Sequence, residues 1–360
     1  MCALRTARHA LFATGGFFVA LLVLRVIILG TISVLAYLSL ILPEEAWKPL
    51  NYLSLEPTRE AVTIDADGRT LTADIYRPDS VLPAGRDRPA VLVFTPLLQR
   101  ATKDPRVVNF ATTIARLGFV VLVPERPPED RTFISPKDPS DARAAWHYLR
   151  RLPEVDDDRV AVFGMSYGLG PVFVAAAQDA EMRERIPLMA GLGGYGDLAE
   201  VMRYALTGDF SYGEVRGHVE PDAWVYALAV ENVERAIPSG PARDALLAAE
   251  SEEEFRKAYA MLPEESRERI RAFSPTAVAD RIHAPILLIH STDDLAVPYT
   301  ESLRLRDHAT ASKRVIVALI NAFRHGDFYE LNAESLRERY LPSLGASLGF
   351  LYAFFSHSSF

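Results

Sequence analysis

The stretch V-A-V-F-G-M-S-Y-G, residues 160–168, decides the fold of this chain. Its first four residues are apolar and run into a G-x-S-x-G pattern, and the mostly small residues 172–177 follow. This order predicts a buried strand, a sharp turn and a helix, with Ser166 exposed at the turn as a nucleophile. Gly164 and Gly168 are required because a β-carbon would clash in so tight a turn. The letters alone would also suit a turn without chemistry, but the flanking strand and helix favour the nucleophile.

Other apolar runs along the chain are typical of strands buried on both faces of a parallel sheet. They lie at residues 90–94, 119–123, 187–190, 286–289 and 315–319. Upstream, residues 61–65 and 70–76 alternate with period two around an Asp67-Gly68 turn, which indicates a hairpin. Helical segments separate the runs, the clearest being residues 140–151 with Asp138 as its cap. Right-handed crossovers then predict an α/β fold with a mostly parallel, doubly wound sheet.

Composition excludes several classes of protein. With 360 residues, 49% of them hydrophobic, the chain can bury a full core. Its net charge of -8 gives no basic stripe for nucleic acid, so no nucleic-acid partner is expected. Cys2 is the single cysteine, which excludes an intrachain disulfide or a cysteine-ligated zinc site. Neither a metal nor an organic cofactor is expected.

Residues 195–282 break the alternation of strands and helices. No convincing strand is visible there, and the segment is predicted to be a helical cap inserted over the carboxyl ends of the strands. It contains a group of aromatic residues that either packs the cap or lines an apolar pocket. Among these, Tyr212 and Trp224 are the predicted substrate-binding residues.

The N-terminal residues differ in composition from all that follows. Between Ala10 and Leu42 only Arg25 carries a charge, and residues 26–42 approach the ~17 residues that a tilted span requires. Arg25 is tolerable if the span is centred on the second half of the run, because its side chain can then reach the interface. We therefore divide the chain into a membrane anchor at residues 1–45, a linker at 46–58 and a domain at 59–360.

Flanking charges predict how this single-pass anchor is oriented. Arg5 and Arg8 precede the apolar run and Glu44 and Glu45 follow it, so the positive-inside rule places the N-terminus in the cytoplasm and the domain outside it. The alternative is a cleaved signal peptide with a weak site at residues 34–36. Because all predicted strands follow Pro57, the domain is also expected to fold without the anchor.

A serine nucleophile needs a base and an orienting acid, which in this architecture follow it in the order Ser, Asp or Glu, His. H-S-T-D-D follows the predicted strand at 286–289, and F-R-H-G-D follows the strand at 315–319. We assign His325 as the base and Asp294 as the acid, with Asp293 as the alternative acid. The Tyr167 N–H, at a helix N-terminus, is predicted to stabilise an oxyanion.

From about residue 59 onward the chain resembles the α/β-hydrolase superfamily. The segment D-G-R-T-L-T-A-D-I-Y-R-P, residues 67–78, followed by F-T-P at 94–96, is similar to the X-prolyl dipeptidyl peptidase and cocaine-esterase group. Residues 155–168 are equally similar to dienelactone hydrolases and prolyl-oligopeptidase-type enzymes. Thr95-Pro96 replaces the usual His-Gly pair, and because Pro96 lacks an N–H the second oxyanion donor is expected to be Leu97 or a neighbouring residue.

These features together predict an α/β-hydrolase fold and a serine hydrolase that transfers an acyl group to Ser166 and then to water. The expected substrate is a small or medium ester with an apolar portion. One alternative is a peptidase or amidase of the X-prolyl dipeptidyl peptidase or prolyl-oligopeptidase type, acting on short peptides. An alternative from another class is a catalytically inert, membrane-anchored binding protein.

Overall fold

The computed structural model describes residues 2–79, 88–98 and 101–358, and it describes side chains within residues 20–357 of these ranges. Met1, Arg5 and Arg8, which belong to the predicted anchor and its orientation, lie outside the residues or side chains described. The strands are β1 (Thr58–Ala66), β2 (Arg69–Arg77), β3 (Arg88–Phe94), β4 (Val120–Glu125), β5 (Val155–Met165), β6 (Met189–Leu192), β7 (Asp209–Tyr212), β8 (Val215–His218), β9 (Ile286–Ser291) and β10 (Val315–Ile320).

Eight of these strands form one sheet in the order β1-β2-β4-β3-β5-β6-β9-β10. β1 pairs with β2 and β2 with β4 in antiparallel fashion, whereas every pairing from β4 to β10 is parallel. Every predicted strand is present, and the mostly parallel α/β sheet is confirmed. Because β3, β5, β6, β9 and β10 run in one direction, the loops after them meet at one edge of the sheet.

Helices cover both faces of the sheet and the edge where these loops meet. They are α1 (Cys2–Ile41), α2 (Pro49–Leu53), α3 (Pro105–Arg116), α4 (Asp138–Arg150), α5 (Leu169–Gln178), α6 (Ala180–Arg185), α7 (Leu198–Thr207), α8 (Ala223–Ala236), α9 (Pro241–Leu247), α10 (Glu252–Met261), α11 (Glu264–Ala272), α12 (Thr300–His308), α13 (Ala333–Ser335) and α14 (Leu341–Ser358). α4, α5 and α12 contribute to the core on one face, and α1, α3 and α14 to the core on the other.

Two local predictions need correction. The segment 195–282 is mainly helical, but it also contains the antiparallel hairpin β7–β8, whose strands are too short to give a clear alternating pattern. Asp138 is the first residue of α4 and not its cap, because its carboxylate is ion-paired with Arg126. A buried cation from another segment thus outweighs the local preference for capping.

The second half of α1 packs against the domain. Leu29, Ala36 and Tyr37 are buried in the same apolar core as residues of α3 and α14, and the Asn109 side-chain amide of α3 donates to the Ser39 carbonyl at 3.3 Å. Within the described residues, Ala20–Ile41 is the one stretch long and apolar enough to cross a membrane, with a mean hydropathy of 2.4. Removing everything before Pro57 would expose the surface of α3 and α14 that this half of α1 covers.

We predict that Leu29→Ala lowers the free energy of unfolding by about 2–5 kcal/mol, the range for truncating a buried leucine. Leu29 is 1% exposed, whereas Leu22 on the same helix is 62% exposed and serves as the matched control. Denaturant unfolding of the full chain in a mild detergent measures both variants. Equal stability of Leu29→Ala and Leu22→Ala would show that α1 does not dock on the domain.

Candidate active site

The turn after β5 holds Ser166 in a conformation that few non-glycine residues adopt. Ser166 has a φ of 51° and begins a single 3₁₀ turn, Ser166–Gly168, that leads into α5. A β-carbon on Gly164 would lie 2.4 Å from the Leu169 Cα, and one on Gly168 would lie 2.1 Å from the Phe94 carbonyl oxygen. These contacts confirm the steric reason for both glycines. Backbone packing therefore maintains the strained turn.

Three side chains from separate loops meet at this edge of the sheet. His325 Nε2 lies 2.6 Å from Ser166 Oγ, and His325 Nδ1 lies 2.9 Å and 3.0 Å from the two carboxylate oxygens of Asp294. With the Nδ1 proton donated to the carboxylate, Nε2 is the acceptor for the serine hydroxyl proton. This is the geometry in which a serine becomes a nucleophile.

The Asp294 carboxylate is buried, but both of its oxygens are hydrogen-bonded by protein groups. Its Oδ1 accepts the backbone N–H of Ala296 at 2.8 Å and of Val297 at 2.9 Å. Burial by itself raises the pKa of this carboxyl, but attraction to His325 and hydrogen bonding from His290 and His325 outweigh it and lower the pKa well below its usual value. Asp294 therefore remains an anion that can hold the imidazole.

Asp293, the alternative acid, lies on the outer side of the same loop. Its carboxylate is ion-paired with Arg339 and accepts the Tyr329 hydroxyl, and the side chain is 38% exposed. His290 is fully buried, with Ser302 Oγ at 2.8 Å from Nδ1 and the Val297 carbonyl at 2.9 Å from Nε2. Both ring nitrogens therefore have partners within the core, which makes His290 a structural residue.

Gly193, at the end of β6, is a site residue that the sequence reasoning missed. Its φ is 58°, and a β-carbon there would lie 3.3 Å from Asp294 Oδ2 and 3.4 Å from His325 Nδ1. A side chain would therefore be strained and would also press on the acid–base pair. The glycine-rich run G-L-G-G-Y-G, residues 191–196, directly after a predicted strand was the available signal.

Ser166 and His325 open into a cavity of about 560 Å³. Two helices of the 195–282 segment, α7 and α8, build one wall of this cavity. They present mainly apolar side chains to it: Leu198, Val201, Met202, Val225 and Leu228. Trp224 lines the cavity with its ring 6.0 Å from the His325 ring. Leu97 and Tyr167, the predicted oxyanion residues, line the same cavity.

Tyr212, by contrast, lies away from this cavity, and its predicted role there is corrected. It ends β7, where its hydroxyl donates to Asp307 at 2.9 Å and its ring packs under the Arg304 guanidinium at 4.6 Å. It borders a separate polar depression with Ser211, Arg216 and Arg304. The unrecognised hairpin turns Tyr212 toward α12 and away from Ser166.

A buried polar network holds the residue after the nucleophile. The Tyr167 hydroxyl donates to Asp138 Oδ2 at 2.7 Å, Arg126 pairs with the same carboxylate at 2.5 Å, and the Arg126 guanidinium lies 5.0 Å from the centre of the Tyr167 ring. Tyr195 stacks on the Tyr167 ring at 6.1 Å. The network fixes Tyr167, whose backbone N–H is the predicted oxyanion donor.

The sequence profile of Peptidase_S15, the X-Pro dipeptidyl-peptidase (S15) family, matches residues 67–326, a range that includes Ser166, Asp294 and His325. In a comparison with curated protein sequences, none matches the chain at a significant level.

Solved structures with a similar fold include three peptidases. The acylaminoacyl peptidase of Pyrococcus horikoshii aligns with a TM-score of 0.53 and 14% identity over 84% of this chain and 41% of that one. The puromycin-hydrolyzing peptidase of Mycobacterium tuberculosis aligns with a TM-score of 0.53 and 21% identity over 88% of this chain and 41% of that one. Dipeptidyl peptidase 4 of Porphyromonas gingivalis aligns with a TM-score of 0.51 and 14% identity over 83% of this chain and 36% of that one. The chain thus spans about two fifths of their length. At such identities the similarity shows the α/β-hydrolase fold alone.

We predict that Tyr167→Phe, which removes the hydroxyl from the network, lowers stability by about 1.5–3 kcal/mol, the range for a hydrogen bond to a charged group. It should also lower kcat more than it changes KM, because the turn carrying Ser166 is less firmly held. Tyr204→Phe is the matched control, since the Tyr204 hydroxyl is equally buried but has no hydrogen-bond partner among the described residues. Thermal unfolding and steady-state kinetics measure both; similar losses in the two variants would contradict the tethering role.

Proposed function

The chain belongs to the X-Pro dipeptidyl-peptidase (S15) family, and on this premise we propose that it is a membrane-anchored serine hydrolase that uses Ser166, His325 and Asp294. The observation that carries the proposal is the 2.6 Å contact of Ser166 Oγ with His325 Nε2, with Asp294 on the opposite ring nitrogen. A serine held in a strained turn beside an oriented base is the arrangement that nucleophilic acyl transfer requires.

The reaction proceeds by acyl transfer in two steps. Ser166 Oγ attacks the carbonyl carbon while His325 Nε2 takes the serine proton, which it then returns to the leaving group. In the second step His325 takes a proton from water, which attacks the carbonyl carbon of the acyl-enzyme. The proton returns to Ser166 Oγ, and the carboxylic acid product is released. Throughout, Asp294 holds the imidazole in one tautomer and stabilises the imidazolium.

Two backbone N–H groups stabilise the negative charge that forms on the carbonyl oxygen. The first belongs to Tyr167, at the start of the helical turn. The second belongs to Leu97, because Pro96 has no N–H to offer. Both residues line the cavity beside Ser166, which supports this assignment.

The preferred substrates are esters of small or medium size with an apolar portion. The wall formed by α7 and α8 offers them an apolar surface, and each Å² buried there contributes about 25 cal/mol. Trp224 stands beside His325, where it also limits access of water to the acyl-enzyme.

A peptidase acting on short peptides is the second candidate, and the family match favours it. Asp222, the residue before α8, also lines the cavity and would suit a positively charged amino group. A panel of p-nitrophenyl esters of increasing chain length, assayed beside amino-acyl and X-Pro anilides, separates the two candidates. An inert binding protein is the least favoured, since the three side chains are in contact and the cavity reaches them.

α1 anchors the protein in a membrane, as a single pass with the N-terminus in the cytoplasm and the domain outside it. The alternative of signal cleavage near residues 34–36 would remove Leu29 and Ser33 from the core, although both are buried against the domain. Retention of α1 is therefore favoured.

We predict that Ser166→Ala and His325→Ala each lower kcat by several orders of magnitude while the fold is preserved, because the nucleophile or its base is lost. Asp294→Asn should be severely impaired, since an amide would stabilise the wrong tautomer of His325. Asp293→Asn is the control and should retain most activity. Ester hydrolysis and labelling by a fluorophosphonate measure all four variants; full labelling of Ser166→Ala would refute the assignment.

We predict that Trp224→Ala changes the preference among acyl chain lengths, because it removes the cavity wall next to His325. Tyr212→Ala is the control from the same 195–282 segment and should leave the profile unchanged. Labelling by a small phosphonate should persist in both, which distinguishes a change in the pocket from loss of the fold. An unaltered chain-length profile in Trp224→Ala would rule out its role in selecting substrate.

A further inference from the structure

α1 changes its surroundings abruptly at about residue 28. From Leu29 onward one side of the helix is buried against α3 and α14, whereas residues 21–24 and 26–28 are all exposed apolar side chains on every side of the helix. At a rise of about 1.5 Å per residue, residues 10–28 extend about 28 Å, close to the thickness of a bilayer's hydrocarbon core. This part of α1 is therefore long enough to be the membrane span.

The direction of α1 relative to the sheet follows from its contacts. Just before the docked part of α1, the Arg25 guanidinium donates to the carbonyl of Ser356, in the last turn of α14, at 3.4 Å. Near the C-terminal end of α1, the Ser39 carbonyl accepts a hydrogen bond from Asn109, in the first half of α3. Arg25 thus lies at the C-terminal end of α14, and the C-terminal end of α1 lies beside the first half of α3.

α14 itself begins at the edge of the sheet that carries the active site. Ser343 Oγ accepts the N–H of Asn321, which directly follows β10 and belongs to the loop of His325. At the other end of α14, the rings of Phe354 and Phe355 lie 6.2 Å and 6.0 Å from Phe119, the residue before β4. The C-terminal end of α14, and Arg25 with it, therefore lies at the amino ends of the parallel strands.

From these contacts we infer that the bilayer lies against the amino-end edge of the sheet, so that the cavity at Ser166 opens on the side facing away from the lipid. The inference rests on the proposed membrane anchor. Arg25, four residues before the docked part of α1 begins at Leu29, is then at the interface on the domain's side, where its side chain can reach headgroups and the α14 carbonyl. The span is shifted toward residues 10–28 compared with the expected 26–42.

The consequence concerns the source of the substrate. Between Ser343 and Ser356, α14 rises about 20 Å, so the cavity edge is separated from the lipid by the height of the domain. An acyl compound dissolved in the bilayer would have to leave it entirely to reach Ser166. The enzyme therefore acts on water-soluble esters or peptides, although it is attached to a membrane.

The position of the bilayer can be measured with fluorophores at the two edges. Because Cys2 is the single cysteine, a Cys2→Ser background allows one label at a time. Lys313→Cys labels the residue two before β10, at the amino-end edge, and Glu330→Cys labels the loop that holds His325; both positions are exposed. Full-length protein in phosphatidylcholine vesicles is then exposed to headgroup nitroxide lipids, which quench only at short range.

Quenching several-fold stronger at position 313 than at position 330 is the expected result. Stronger quenching at 330, or equal quenching at both, would overturn the inference, because the cavity would then face the lipid or the domain would have no fixed orientation. Fluorophosphonate labelling of Ser166 in the same vesicles tests the hydrolase separately: an unreactive Ser166 with the expected quenching refutes the proposed chemistry and leaves the orientation standing. Protein that stays in solution without detergent refutes the anchor and the orientation together.

Discussion

The parallel pairing from β4 to β10 sends the loops after β5, β9 and β10 to one edge of the sheet, and the candidate site depends on this convergence. Ser166, Asp294 and His325 come from three loops far apart in the chain. The two ring nitrogens of His325 nevertheless lie within 3.0 Å of Ser166 Oγ on one side and of the Asp294 carboxylate on the other. None of these loops could position its side chain alone. The rigid sheet beneath them gives each loop a fixed starting point.

Two buried carboxylates near the nucleophile are stabilised in the same way. Asp294 is satisfied by two backbone N–H groups and by imidazole rings, and Asp138 by Arg126 and the Tyr167 hydroxyl. Removing a carboxylate from water is unfavourable unless such partners replace its hydration. Both carboxylates thereby act as fixed points, one for the imidazole of His325 and one for the turn that carries Ser166.

Different helices around the sheet form the cavity wall and hold the proposed anchor. On the carboxyl edge, α7 and α8 form an apolar wall of the cavity at the reacting groups, which is the part of the molecule proposed to select the substrate. On one face, α1 and α14 pack against each other and against the sheet, so the proposed anchor is part of the core and not a detachable tether.

Local order along the chain was enough to predict the sheet, the nucleophile turn, and the two loops that carry the base and the acid. Buried parallel strands need continuous apolar runs, and Gly164 and Gly168 have no alternative where a β-carbon would meet backbone at 2.4 Å and 2.1 Å. The tertiary structure decided what depends on distant partners: Asp294 rather than Asp293 faces His325, Asp138 binds Arg126 instead of capping α4, and Tyr212 turns away from the cavity while Trp224 lines it. It also decided that half of α1 belongs to the domain, because an apolar helix has the same composition whether lipid or protein covers it.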